Sequence, residues 1–129
     1  MRTLKSDAGK VTPITDKGGE IHVLISPRTV ESTQLILGVA TVPPHGRVKQ
    51  HVHDYGEETF YVLRGAGRIE LEGVGNVDFR VGDAVLVPRG VPHSIVNEGD
   101  EEIQVVFATA PLAPRADAGH RNLEPASRA

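Results

Sequence analysis

GDAVLVPRGVPHSIVN (82–97) is the stretch that decides the fold. Gly82 precedes the apolar run 84–87, Pro88-Arg89-Gly90 follows as a turn, and from His93 the residues alternate again as far as Asn97. Proline fixes φ and glycine supplies positive φ, so the stretch reads as strand–turn–strand with His93 opening the returning strand. HVHDYGEETFYVLRG (51–65) has a related pattern: an HxH pair, the breakers Asp54-Tyr55-Gly56, an apolar run opened by Glu58 and a closing Gly65.

Outward from these two stretches, β-type runs fall at 20–26, 33–42, 47–53, 58–64, 67–72, 77–81, 84–88, 93–97 and 102–110. Turn residues separate them, including Pro43-Pro44-His45-Gly46, Gly65-Ala66-Gly67, Gly73-Val74-Gly75-Asn76 and Asn97-Glu98-Gly99-Asp100. Short strands with regular turn signals, and no 3.6-residue apolar period between 20 and 110, predict an all-β antiparallel sandwich or barrel. Residues 1–19, ending in Lys17-Gly18-Gly19, read as an N-terminal arm, 20–110 as the barrel, and the Pro/Ala-rich 111–129 as a tail in loop or disorder.

The 129 residues fit a single domain. A net charge of −3 gives no basic field for a polyanion, so no nucleic-acid partner is expected. Cysteine is absent, which excludes disulfides and thiolate sites, so any metal must be held by nitrogen and oxygen. MRTLKSDAGKVTPIT lacks the apolar core of a secretory signal, and no apolar run approaches a membrane span of roughly 20 residues. A cytoplasmic protein with a small-molecule partner and no membrane is the expectation.

Residues two apart in a strand share a face, so His51 and His53 point the same way, and Glu58 begins the next strand beside them. Two imidazoles and a carboxylate at this spacing suit one divalent transition metal (Zn, Fe, Mn, Ni or Co) with positions left open. Two surface histidines in an alternating strand would look the same, so the pair alone decides nothing. The second stretch adds weight. Gly82, five residues, Pro88-Arg89-Gly90, two residues, His93, three residues, Asn97 resembles the second motif of the cupin superfamily, G-x5-PxG-x2-H-x3-N, at every defined position. Residues 51–65 resemble the first, G-x5-HxH-x3,4-E-x6-G, except that four residues rather than five separate Gly46 from His51. The resemblance implies a single-domain, cupin-type jelly-roll barrel with His51, His53, Glu58 and His93 as metal ligands.

GGEIHVLISPRTVESTQLILGVATVPP (18–44), followed by the HxH segment, is similar to small cupins known as aromatic polyketide cyclases. Gly18-Gly19, Val23-Leu24-Ile25-Ser26-Pro27 and Gly38-Val39-Ala40-Thr41 correspond. The likeness implies a metal-dependent cyclase or isomerase acting on a carbonyl-bearing metabolite, with Glu58 or a bound hydroxide taking the proton. The same ligands serve a non-haem dioxygenase, and a cupin that binds metal and a small ligand without turnover remains an alternative of another class.

Parity with the ligands places Lys49 (and Arg47) on the face of His51, Phe60 and Val62 on that of Glu58, and Ile95 on that of His93. These residues would line a pocket for a small anionic or enolisable ligand. Core filling by Phe60, Val62 and Ile95, with Lys49 reaching outward, accounts for them equally well. His22, His45 and His120 are expected in solvent, Glu57 on the face opposite Glu58, and Asn97 tying a strand end to a turn. Gly73-x-Gly75 lacks the rest of a dinucleotide fingerprint, and no GxSxG occurs. The strands at 20–26 and 33–42 are too apolar for a lone sheet edge, which predicts a homodimer.

Overall fold

The computed structural model describes residues 3–124. All nine expected runs form strands, with ends shifted by a few residues: β1 (Glu20–Ile25), β2 (Ile36–Val42), β3 (Arg47–Val52), β4 (Glu57–Arg64), β5 (Ala66–Leu71), β6 (Gly75–Arg80), β7 (Ala84–Val87), β8 (His93–Val96) and β9 (Ile103–Ala110). The largest shift is at β2, which starts at Ile36 instead of residue 33. Glu31 takes positive φ (57°), and the Ser32 hydroxyl donates to the Leu35 carbonyl at 2.8 Å, so a turn occupies those positions.

The strands pair antiparallel in two five-stranded sheets, ordered β1-β2-β9-β4-β7 and β10-β3-β8-β5-β6, where β10 is Arg121–Asn122. This is the expected all-β jelly roll. Each sheet turns one face inward, and Val42, Val48, Phe60, Val62, Ile69, Leu71, Phe79, Val87, Ile95, Ile103 and Val105 form a shared core. Phe60 and Phe79 meet edge-on at 5.4 Å, a favourable aromatic arrangement. Gly65 sits between β4 and β5 with φ 78°, and a Cβ there would lie 2.5 Å from the Glu102 carbonyl oxygen, so both conformation and space demand glycine. Asn97 is 1% exposed. Its amide nitrogen donates to the carbonyls of Val42, Pro43 and Glu101, and its Oδ1 accepts from the Gly99 N–H, so it ties the end of β8 to two loops as expected.

The structure alters three readings. β3 and β4 belong to different sheets, so the segment after His53 is not a hairpin turn but a crossing, and Glu58 faces the histidines from the opposite wall. Strand alternation alone cannot distinguish these, because a turn and a crossing use the same breaker residues. β3 also carries an irregularity against β8: Val48 pairs with Ile95 but His51 pairs with His93, so one extra residue is accommodated between them. Such a bulge breaks the period of two. Val48 and His51 are both buried, while Lys49 between them is half-buried and its charge acts on Glu124.

The third correction concerns the tail. As far as residue 124 it is mainly loop, as read from the sequence, but loop held along the barrel and joined to it by the short strand β10; the rest of the tail lies outside the described residues. Arg121 and Asn122 pair with Val52 and His51 of β3, the Leu123 N–H donates to the Gln50 carbonyl, and Arg121 forms a two-pronged bond to Asp54 at 3.0 and 3.1 Å. Backbone pairing along one strand edge requires no apolar periodicity, so the sequence carries no pattern for it. The arm is ordered too: Ile14 and Ile21 exchange backbone bonds, and the Lys17 carbonyl accepts from the Lys49 N–H at 2.9 Å.

The missing glycine before His51 also has an explanation. The Gly46 N–H donates to the Pro43 carbonyl at 3.0 Å, closing a turn whose third residue, His45, has φ 60°. His45 has five residues between it and His51, so it occupies the place where the family motif has glycine. The turn keeps its length, and a histidine adopts the left-handed conformation. Its exposed ring pairs with Asp100 at 2.7 Å.

Candidate metal centre

β3 supplies His51, the residues just after it supply His53, β8 supplies His93, and β4 supplies Glu58 from the facing sheet. One ring nitrogen from each histidine lies within 4.8 Å of the others. Ring centroids are 4.3 Å apart for His51 and His93, 5.1 Å for His51 and His53, and 5.3 Å for His53 and His93. The two Glu58 oxygens each lie 3.6 Å from a nitrogen, Oε1 from His53 Nε2 and Oε2 from His93 Nε2. The backbone joins the two motifs at the same place, since the Gly90 N–H donates to the His53 carbonyl at 2.9 Å.

Each imidazole is oriented in the same way. His51 Nδ1 lies 2.8 Å from the Lys49 carbonyl, His53 Nδ1 2.9 Å from the Gly119 carbonyl, and His93 Nδ1 2.9 Å from the Val91 carbonyl. A carbonyl only accepts, so each Nδ1 carries the proton and each Nε2 presents a lone pair. His53 Nε2 and His93 Nε2 are buried and lack a hydrogen-bond partner among the described residues. A buried polar atom without a partner costs about 1–3 kcal/mol, and two facing one another form a place prepared for a Lewis acid. The residues therefore fit a metal bound by three imidazoles and a carboxylate, with backbone carbonyls behind the rings fixing their orientation.

The electrostatics agree with ligands poised to bind. Burial, and then the neighbouring His93 ring, pull the His51 pKa from 6.5 down to about 3, which keeps that imidazole neutral. Burial raises the pKa of Glu58, but its interactions with His93, His53 and His51 more than offset this and leave it below the usual carboxylate range. The carboxylate is thus charged at neutral pH.

Phe60, Val62 and Ile95 lie in the hydrophobic core, 2%, 0% and 7% exposed, where packing alone accounts for them. Glu57 is exposed, whereas His22, expected in solvent, is half-buried beside Glu20 at 3.4 Å. His120 departs from its expected place in solvent: it is half-buried, and burial followed by the charge of Lys17 lowers its pKa to about 4. Two further participants escaped the sequence reading. Gly119 acts through its carbonyl, which leaves no mark in the residue type. Lys17 is 6% exposed and under the influence of Glu58, and its only sequence signal is a lone cation before two glycines.

The cupin domain model matches residues 38–109, more than half of the chain. The chain is a cupin. It is 40% identical over 114 residues to protein SchB of Streptomyces halstedii, covering 88% of this chain and 82% of that one. To polyketide synthase CurC of Streptomyces cyaneus it is 34% identical over 124 residues, covering 96% and 80%. The polyketide cyclase RemF from Streptomyces resistomycificus superposes with a TM-score of 0.72 at 21% identity, over 95% of this chain and 86% of that one, and so shares the fold. Among the described residues no helix is long and apolar enough to cross a membrane.

Proposed function

We propose that this cupin is a metal-dependent enzyme that closes or rearranges a ring in a small carbonyl-bearing, polyketide-like metabolite. The reading rests chiefly on the three histidines with Nδ1 tied to carbonyls and Nε2 turned on a common centre, facing the Glu58 carboxylate. Polyketide synthase CurC among the relatives supports the choice of substrate class. His51, His53, His93 and Glu58 would hold one divalent transition metal, which supplies a Lewis acid for a substrate carbonyl and its enolate. Glu58 has a second role in this reading. Its charged carboxylate takes a proton from the carbon between two carbonyls, and the resulting enolate carbon bonds to a carbonyl carbon further along the same molecule. The new alkoxide regains the proton from Glu58, and the resulting hydroxyl leaves as water together with a proton of the neighbouring ring carbon as the ring becomes aromatic. Core residues beneath the ligands keep bulk water from the reacting atoms.

The experiment pairs elemental analysis of protein purified without added metal with incubation of the loaded protein and a linear β-tetraketone. Stoichiometric metal and a cyclic product one water lighter are expected, both lost in His51→Ala. Oxygen consumption in place of cyclisation would turn the reading to a dioxygenase. Tight binding without any product would make the protein a binding cupin.

We further propose a homodimer through the sheet that contains β1 and β2. On its outer face Val39 pairs with Val106 and Val106 with Tyr61, while Tyr61, Leu63 and Leu86 are 46%, 47% and 55% exposed. Apolar side chains in one exposed sheet face favour a partner. Light scattering at micromolar concentration should give twice the chain mass; the mass of a single chain would refute the dimer.

A further inference from the structure

Two of the three imidazoles are oriented by their own neighbourhood in the chain. His51 and His93 donate from Nδ1 to the carbonyls of Lys49 and Val91, each two residues earlier. His53 differs: the carbonyl on its Nδ1 belongs to Gly119, 66 residues further along and in the tail. One ligand of the site is therefore only as well placed as the tail is docked.

The docking is built from bonds to the strand that carries the ligands. With β10 beside it β3 is an inner strand; without β10, the strand that carries His51 and leads into His53 would be the edge of its sheet. Asn122 and Arg121 pair with His51 and Val52, and the Leu123 N–H donates to the Gln50 carbonyl at 3.0 Å. The Gln50 N–H donates in turn to Glu124 Oε1 at 3.1 Å. Arg121 also closes a fork on Asp54, Nε to Oδ2 at 3.0 Å and Nη2 to Oδ1 at 3.1 Å. Asp54 is the residue after His53, and Arg121 stands two after Gly119. The fork thus joins the two segments within two residues of the bond that orients the ligand. Paired charge-assisted bonds fix direction as well as distance.

The connection acts in both directions. An imidazole held through Nε2 by a cation donates its Nδ1 proton more strongly, and a carbonyl on that proton makes Nε2 the better ligand. Whatever tail docking adds to metal affinity, metal binding must add to tail docking.

We propose that Arg121 is a positioning residue for the metal centre: by clasping Asp54 it keeps the Gly119 carbonyl on His53, so that metal binding and tail docking strengthen each other. This rests on the metal site described above and adds what controls one of its ligands. The sign of the effect separates positioning from plain charge. Arg121 brings a positive charge to the residue beside a ligand, so by repulsion alone its removal would tighten the binding of a divalent cation. Positioning demands the reverse.

The test uses full-length protein and zinc(II), with affinity read by chelator competition and tail docking by amide hydrogen exchange at Leu123. In Arg121→Gln zinc should bind at unchanged stoichiometry but about three- to fivefold more weakly, a modest loss because the paired side chains are 62% and 40% exposed. Arg121→Lys keeps the charge without the fork and should fall between that variant and wild type. Arg115→Gln removes an equal charge from the tail, at a pair with Asp117, and should change the affinity less than about twofold. In wild type, zinc should slow exchange at Leu123 by at least the factor that Arg121→Gln costs in zinc affinity, since both report the same coupling. Unchanged or tighter zinc binding in Arg121→Gln, an equal loss in Arg115→Gln, or exchange at Leu123 indifferent to zinc would each overturn the proposal and leave the metal centre standing. Failure of the wild type to bind zinc would overturn the metal centre and the coupling together.

Discussion

β3, β4 and β8 on one hand, and residues 14–19 and 119–124 on the other, lie around the same candidate metal site but are held by different forces. The three strands bury alternate side chains in a common core, so their positions follow from apolar burial. The two end segments contribute few large buried side chains. They are held by backbone bonds to the outer edge of β3, by the Arg121–Asp54 bond, and by the close approach of Gly18 and Gly19. The barrel thus carries the four candidate ligands, and the tail orients one of them, His53, through the Gly119 carbonyl. Elements held mainly by exposed hydrogen bonds open at lower free energy than a packed core, so the end segments should yield first.

Removing a ligand from the barrel should have the largest effect. His93→Ala takes away a buried donor that β8 fixes from behind through the Val91 carbonyl, and metal content by elemental analysis should fall to background. Truncation after residue 118 should come next. It removes the Gly119 carbonyl that orients His53, and losses of such supporting groups weaken metal affinity by roughly 10–100-fold. A chelator competition titration reads this directly. If truncation left affinity unchanged, the tail would have no influence on the site.

Proton uptake distinguishes the two regions further. His51 in the barrel and His120 in the tail both have pKa values depressed from 6.5, to about 3 and about 4. In the metal-free protein the unfolded chain takes up protons as pH falls through about 6.5, while the native chain resists until the lower values are reached. Stability from both groups is therefore complete above pH 6.5 and declines progressively below it. Urea titrations between pH 7 and 4 should show this fall. His120→Gln should remove the smaller, tail-borne part of it, smaller because that ring is half-exposed, and leave the His51 part intact. The smallest effect is expected at the turn before β3. His45→Gly relieves a left-handed histidine but loses an exposed pair with Asp100 and gains chain entropy when unfolded. The change in thermal stability should stay within about 1 kcal/mol of zero.

The difference in forces also explains what could be read from the amino-acid sequence. Periodicity placed all nine barrel strands because core burial writes an alternating pattern, and the spacing around His93 and Asn97 marked the second motif. Alternation failed at Lys49, where an extra residue in β3 broke the count without any glycine to announce it. It was also silent on whether β4 lay beside β3 or across from it, which determines that Glu58 closes the site from the far wall. Arm and tail bear no periodic signature, because a carbonyl such as that of Gly119 is present in every residue type. Lys17 and His120 were legible as residues but not as neighbours.

The central claim, that three Nε2 atoms and the Glu58 carboxylate share one metal, is tested most directly by anomalous diffraction from crystals of the cobalt-loaded protein. The account predicts a single peak per chain, within bonding distance of Nε2 of His51, His53 and His93 and of a Glu58 oxygen, with every Nδ1 still on its carbonyl. A peak elsewhere, or none at full cobalt loading, would contradict it.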